Sequence, residues 1–421
     1  MGVQSAAMLR PLLRLAFVVF VLVCAVTAAA QPGGVRPVAL VHARVLDIAS
    51  GALSPERTLV LREGRIASIG ADQAPAGVDV IDVRGKVVVP GLIDAHAHVA
   101  DPRGARAALL TGVTTIRSAG VALFADVALR ALVKSGRLPG PDVLAAGVHI
   151  QPHFENDTDV LSDPRFFEFI DGIRDLDGIR RATAVDLDHG VDVIKTSATD
   201  RAGLSATDPR RFLFDESQLR ALVDTASARR VPVMAHAHGD EGAANAVRAG
   251  VRSIEHGTFL TAATLTLMKD KGVWFVPTYS AVVDISDPGG DYDEPGLQIR
   301  GRHMLPRLRE TIRDAVRIGV QFATGVDTDY GAKNVRTVAG EVIYLVEAGL
   351  TPLAALQAAT MSGARLLGID AVTGVVQAGF EADLLVIDGN PLEHMSRLAD
   401  PMLIVSNGRV VLNNLDPSSR R

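Results

Sequence analysis

Two histidines one residue apart, His96 and His98, close the apolar run Val87-Val-Val-Pro-Gly-Leu-Ile-Asp-Ala-His-Ala-His98. In an extended strand, residues i and i+2 point to the same face, so both imidazoles aim at one point where a strand opens into a loop. Imidazole is the commonest protein metal ligand, and two converging rings begin a metal site. The remaining ligands are expected in equivalent places. Lys195 ends Val191-Asp-Val-Ile-Lys, His236 ends Val-Met-Ala-His, His256 ends Ser-Ile-Glu-His, and Asp327 follows Ala-Thr-Gly-Val. Singly these read as a satisfied histidine, a solvent lysine or a turn aspartate. Five matching run ends together argue for one metal centre.

Such ligands need a scaffold that brings strand ends into a ring. With the strand ending at His96, apolar runs at 113–116, 143–146, 191–194, 231–235, 251–254, 273–276 and 320–323 make eight, and amphipathic segments such as 216–229 and 308–318 separate several of them. Alternation of this kind predicts an α/β fold, a parallel (β/α)8 TIM barrel over residues 87–368, with its catalytic face at the strand C-termini. Residues 31–86 and 369–421 carry short, glycine-punctuated β runs that predict one small flanking β-sandwich built from both ends of the chain. Residues 280–306, rich in Pro and Gly, are expected to form a long substrate-covering loop after the seventh strand.

Of the 421 residues, 48% are hydrophobic and 22% charged, with a net charge of −5 and 4% aromatics. That composition is ordinary for a globular protein and lacks the basic stripe that nucleic-acid binding needs. Residues 1–30 differ. Arg10 and Arg14 precede an apolar stretch, Leu15 to Val26, and a small-residue end at Ala30. This is the plan of a cleaved signal peptide, and the apolar run is short for a bilayer span. The protein is therefore expected to be exported, periplasmic or secreted, with no stable membrane span after cleavage near Ala30. Cys24, the one cysteine, would be removed with that segment, leaving no disulfide.

The chain resembles the amidohydrolase superfamily, in particular its imidazolonepropionase-like and prolidase-like branch of Xaa-Pro or Xaa-Lys/Arg dipeptidases. The resemblance rests on Gly91-Leu-Ile-Asp-Ala-His-Ala-His98, Gly112-Val-Thr-Thr-Ile-Arg117, Asp192-Val-Ile-Lys195, Ala235-His-Ala-His-Gly239, Ile254-Glu-His-Gly257, Pro277-Thr and Thr324-Gly-Val-Asp327, and extends to Gly374–Val386. It implies two divalent metal ions, zinc being the best suited. His96, His98 and Asp327 would hold one ion, His236 and His256 the other, and Lys195, converted by carbon dioxide to a carbamate, would bridge them. A lysine in a crowded cationic site has a depressed pKa and reacts as the free amine. A hydroxide shared by the ions would attack the scissile carbonyl, and Asp327 would move the proton to the leaving amine.

The loops hold further candidates. His238 is expected beside the ligands rather than among them. Of His149 and His153 after the third strand, His153 is taken to touch the substrate carbonyl, and Tyr279 to offer it a hydroxyl. Arg201 and Arg302 are candidates for a fork-like contact with a substrate carboxylate. Arg117-Ser118 departs from relatives that place an acid after the arginine, which unsettles transfer of their substrate preference. The expected activity is hydrolysis of a C–N amide bond in a small molecule, a dipeptide or N-acyl amino acid, by a dipeptidase-like or carboxypeptidase-like enzyme; association as a homo-oligomer, common for barrels of this kind, is left open by the sequence. The alternatives are a cyclic-amide or lactone hydrolase on the same site, or a periplasmic binding protein without turnover.

Overall fold

The computed structural model describes residues 36–70, 73–154 and 156–415. The segment read as a leader, with Cys24, lies outside them. Fifteen strands are numbered in chain order among the described residues, and helices are given by their residue ranges.

Both ends of the chain build one flanking sheet. Its strands are β1 (Val38–Leu46), β2 (Leu53–Arg62), β3 (Arg65–Gly70), β4 (Asp79–Asp82) and β5 (Val87–Pro90), followed by β13 (Leu384–Ile387), β14 (Leu403–Ser406) and β15 (Arg409–Asn413). Their order is β15-β14-β13-β5-β1-β2-β3, with β4 added to β1. The hydrogen bonding is that of a single sheet rather than of the two-sheet sandwich expected, and side-chain alternation gives the reason. Val88, Leu384, Val386, Leu403 and Val405 pack in the sheet's own core. Their neighbours Val87, Val89, Leu385, Ile387 and Ile404 pack against the central unit instead. Apolar side chains on both faces let the central unit serve as the second layer. Val87–Pro90, read from sequence as the start of that unit, pairs in this sheet with β1 and β13.

Beyond Gly91 the chain alternates parallel strands with helices. Strands β6 (Leu92–Ala97), β7 (Val113–Ser118) and β8 (Asp142–Leu144) form one sheet, and β9 (Ile194–Ser197), β10 (Val233–Ala237), β11 (Ser253–His256) and β12 (Trp274–Val276) another. Helices such as Pro102–Leu110, Leu176–Asp188 and Glu216–Ser227 separate them. Single parallel bridges continue the hydrogen bonding beyond the sheets, Ile150 with Thr196, Phe275 with Phe322, and His98 with Asp329. The eighth run, 320–323, is present only as the Phe322 bridge. The fourth lies later than expected, so Lys195 is the second residue of β9 and not its end.

The expected loop at 280–306 is mostly helical. Tyr279–Ser286 and Pro295–Ile318 are helices, leaving 287–294 between them. Pro295 sits in the first turn, where its missing N–H has no helical partner to lose. The N-terminus of Tyr279–Ser286 has no side-chain cap of its own. Glu341, from the helix Val338–Ala348, supplies one, accepting from the backbone N–H of Tyr279 (2.8 Å) and Ser280 (2.8 Å) and from the Ser280 hydroxyl (2.6 Å).

Burial pushes the Glu341 carboxyl up to about 7, against the pull of its hydrogen bonds from Ser280 and Tyr279. The folded protein therefore holds this proton more tightly than the unfolded chain does. Its contribution is full below the ordinary carboxylate range and is lost as pH rises through about 7. Glu341→Ala leaves buried donors unpaired and is expected to cost about 2–3 kcal/mol in denaturant titration. Glu341→Gln costs less, and the stability gap in favour of wild type narrows as pH rises through about 7. A gap independent of pH contradicts the assignment.

Candidate metal centre

The C-terminal ends of β6, β9, β10 and β11 converge on a cavity of about 390 Å³, lined by His96, His98, Lys195, His236, His256 and Asp327 among others. All six residues singled out as ligands from sequence are thus brought together. Two groups stand out within the cavity. His96, His98 and Asp327 each offer an atom within 4.8 Å of the others, and so do His236, His238 and His256. Lys195 touches the first group, its Nζ 3.2 Å from His96 Nε2.

Neighbouring hydrogen bonds leave a nitrogen of each ring available. His96 Nδ1 donates to Glu255 Oε2 at 2.7 Å, and His98 Nδ1 to the Gly120 carbonyl at 2.9 Å. Their Nε2 atoms lie 3.3 and 3.0 Å from Asp327 Oδ1. His236 Nε2 donates to the Asp200 carbonyl at 3.1 Å, and His256 Nδ1 meets the Thr278 hydroxyl at 2.6 Å. Anchoring one ring nitrogen fixes which one remains for a metal.

Backbone geometry makes this convergence possible. His256, Thr278 and Asp327 have φ of 72°, 45° and 56°, in the left-handed region that non-glycine residues rarely adopt. At His256 the departure interrupts strand alternation, so Glu255 and His256, adjacent in sequence, both contact the His96 ring's surroundings. Strained conformers of this kind gather at functional sites. The run to Asp327 also passes close beneath His96: a Cβ built on Gly325 falls 2.6 Å from the His96 Cβ.

The electrostatics suit metal ligation. Burial holds the imidazoles of His236 and His256 well below the ordinary 6.5 and takes His238 down to about 3, so these rings are neutral with free lone pairs. Burial also lowers Lys195 to about 8, against the opposing fields of Glu255 and Asp327. Asp327 is partly buried, which raises a carboxyl, but electrostatic attraction and hydrogen bonding from His96, with hydrogen bonding from His98, outweigh this and hold it ionised. Glu255 behaves alike: burial is outweighed by Arg117 and His96, and its value falls to about 2. Neutral imidazoles with one or two carboxylates are the donor set of zinc and similar dications.

Two residues expected to face the substrate lie elsewhere. His153 is exposed and packs against Gly172, away from the cavity. His149 lines the cavity instead, its Nε2 2.9 Å from the Ser197 hydroxyl. The bridge of Ile150 to Thr196 turns the flanking residues 149 and 151 to the cavity, and the chain leaves that line before 153, where the Pro152 carbonyl accepts from the Ile173 N–H at 2.8 Å. Tyr279 is buried, but its hydroxyl accepts from Arg309 at 3.1 Å and its ring stacks on Tyr344, towards the outer helices. Its helix turns Ala281, Val282 and Ile285 to the cavity, and Tyr292 follows from the 287–294 loop. Arg201 lines the cavity, while Arg302 is exposed outside it. Sequence reasoning missed Glu255, Gln151, Thr278 and Tyr292. Only Glu255 left a signal, as a charged residue inside an apolar strand.

A nitrogen-resolved NMR titration of the metal-free protein is expected to find His236, His238 and His256 uncharged from neutrality down to about pH 5, where an ordinary histidine is protonated. Titration of any of the three near its ordinary value contradicts the closed cluster.

Comparison with known proteins places this geometry. Residues 87–411 match the model of the amidohydrolase family. Ochratoxinase from Aspergillus niger is 27% identical over 366 residues, which cover 76% of this chain and 74% of the relative. Among solved structures, a Xaa-Pro dipeptidase with methionine bound in its active site superposes with a TM-score of 0.79 at 27% identity, covering 89% of this chain and 99% of the other. A prolidase complexed with N-methylphosphonate-L-proline gives 0.77 at 27% identity, covering 90% and 100%. With a family match over most of its length, the chain belongs to the amidohydrolase family.

Proposed function

We propose that this protein is an exported, metal-dependent amidohydrolase that cleaves the C–N amide bond of small peptides or N-acyl amino acids. One observation carries the reading: His96, His98, Lys195, His236, His256 and Asp327 converge on one cavity, where the buried rings of His236 and His256 are neutral and the carboxylate is ionised. The likeness to a Xaa-Pro dipeptidase, a prolidase and ochratoxinase supports the amide class. Export rests on the charged, apolar and small-residue order of residues 1–30. The bridges through Ile150, Phe322 and His98 support closure of the two parallel sheets into an eight-stranded barrel.

In this reading His96, His98 and Asp327 would hold one divalent ion and His236 with His256 the second. Lys195, its Nζ 3.2 Å from His96 Nε2 and its amine lowered to about 8, would add carbon dioxide as the free amine and, losing a proton, supply carbamate oxygens to the ions. When bound, the ions polarise the scissile carbonyl and lower the pKa of water from 15.7 to about 7. Asp327 takes the proton of the attacking water at its carboxylate and hands it to the leaving amine. His149, held well below its ordinary value by burial, presents a neutral ring to the same cavity beside Ser197. His238, bonded at 2.8 Å to the Thr258 hydroxyl, packs behind His256.

Substrate recognition is assigned to the cavity's far polar wall. The Gln151 Nε2 is sealed from solvent and has no hydrogen-bond partner among the described residues. Gln151 stands with Arg201 and Tyr292 around the cavity, suited to the carboxylate of a C-terminal residue. Tyr292 is seated by Gly203, where any Cβ would strike the tyrosine ring. Apolar Val121, Val282 and Ile285 complete the wall against the substrate side chain.

Zinc-loaded protein is expected to hydrolyse members of a panel of Xaa-Pro dipeptides, other dipeptides and N-acyl amino acids. Asp327→Asn should lower kcat by about 10²–10⁴-fold, the usual range for a lost general acid–base group. An inert wild-type protein across the panel, or an unimpaired variant, overturns the reading. Gln151→Leu should raise KM about tenfold or more at nearly constant kcat, the mark of lost uniform binding. A fall in kcat alone contradicts that role.

A further inference from the structure

Beneath the ligands lies a buried ion pair that neither the fold nor the reaction scheme above employs. Arg117 on β7 reaches to Glu255 on β11, Nη2 to Oε1 at 2.9 Å. The guanidinium also donates to the Ala95 carbonyl at 2.7 Å and the Ser253 hydroxyl at 3.1 Å. Ser253 in turn donates to Glu255 Oε1 at 2.5 Å. Arg117 is 3% exposed and Glu255 fully buried. The other carboxylate oxygen, Oε2, accepts from the Nδ1–H of His96 at 2.7 Å.

A charge pair in such a place is poorly explained by stability. Two ions taken out of water lose about as much as their attraction returns, and well-packed apolar residues in their place are often equal or better. Barrel interiors are generally filled with branched aliphatic side chains. Here the hydrogen bonds of the pair hold one carboxylate oxygen against one histidine. Ala95, the residue before His96, is fixed by the same guanidinium.

We infer that Glu255, clamped by Arg117 and Ser253, is a positioning residue for His96: it fixes the ring with Nδ1 protonated and Nε2 bare, and increases the ring's basicity towards the ion that His96, His98 and Asp327 would share. Outer partners of this kind are usually worth about 10–100-fold in metal affinity. The effect falls on one ion of the pair, because Glu255 bonds His96, while His98, His236 and His256 are anchored by other groups. The inference rests on the metal reading given above.

Zinc titration of metal-free protein against a chelator, followed by metal analysis, separates the two. Wild type is expected to bind two ions, and Glu255→Gln, of the same shape without the charge, to weaken one by about 10–100-fold while the other is unchanged. Two ions bound equally well by wild type and variant overturn the positioning role and leave the metal reading standing. A wild-type chain that binds no zinc overturns both. Nitrogen NMR of the zinc-loaded wild type checks the same claim without a substitution. A His96 ring carrying its proton on Nδ1 supports it, and one carrying it on Nε2 overturns it.

Discussion

Histidines packed against one another in a site nearly closed to water cannot all carry charge. Ring centroids of His236, His238 and His256 lie 4.3–4.9 Å from one another, and Lys195 adds an amine to the same cavity. In a medium of low dielectric, each added positive charge is opposed by burial and by its neighbours alike. Protons are therefore driven off, and lone pairs are left facing inward. The cluster lacks positive charge where it has arranged donors for it. Divalent ions would supply that charge without asking any ligand to be protonated, so the constraint that empties the rings of protons suits them to metal.

The rest of the fold maintains this state. The middle strands of the flanking sheet, β5, β13 and β14, bury both faces and pack on the central unit through Val87, Val89 and Leu385. The helix Tyr279–Ser286 walls the cavity only because Glu341, on another helix, completes its N-terminus. Left-handed turns at His256, Thr278 and Asp327 aim side chains that a regular strand would send elsewhere. Each device spends stability on orientation, as expected where function requires strain.

Much of this is legible in the amino-acid sequence. His96 and His98 share a face by strand periodicity alone, and Lys195, His236, His256 and Asp327 stand at or near run ends. These signals are local, and a parallel architecture converts them into a cluster. The features that escape a sequence reading depend on partners distant along the chain. His149 rather than His153 enters the cavity because Ile150 pairs with Thr196, a register that no spacing reveals. Tyr279 turns outward because Arg309 and Tyr344 receive it. The expected loop is helix because proline at a first turn permits one, and composition alone does not distinguish the two. Glu255 is hidden by its neighbour: strand alternation places it opposite His256, and only a backbone in the left-handed region reconciles the pair.

Two ions held by separate groups, with Lys195 between them, are the central claim. A crystal structure of zinc-loaded protein with anomalous data at the zinc edge tests it most directly. Two peaks are predicted, one among His96, His98 and Asp327 and one between His236 and His256, with continuous density from Lys195 Nζ reaching both. A single peak held by His236, His238 and His256, with Lys195 unmodified, would contradict it.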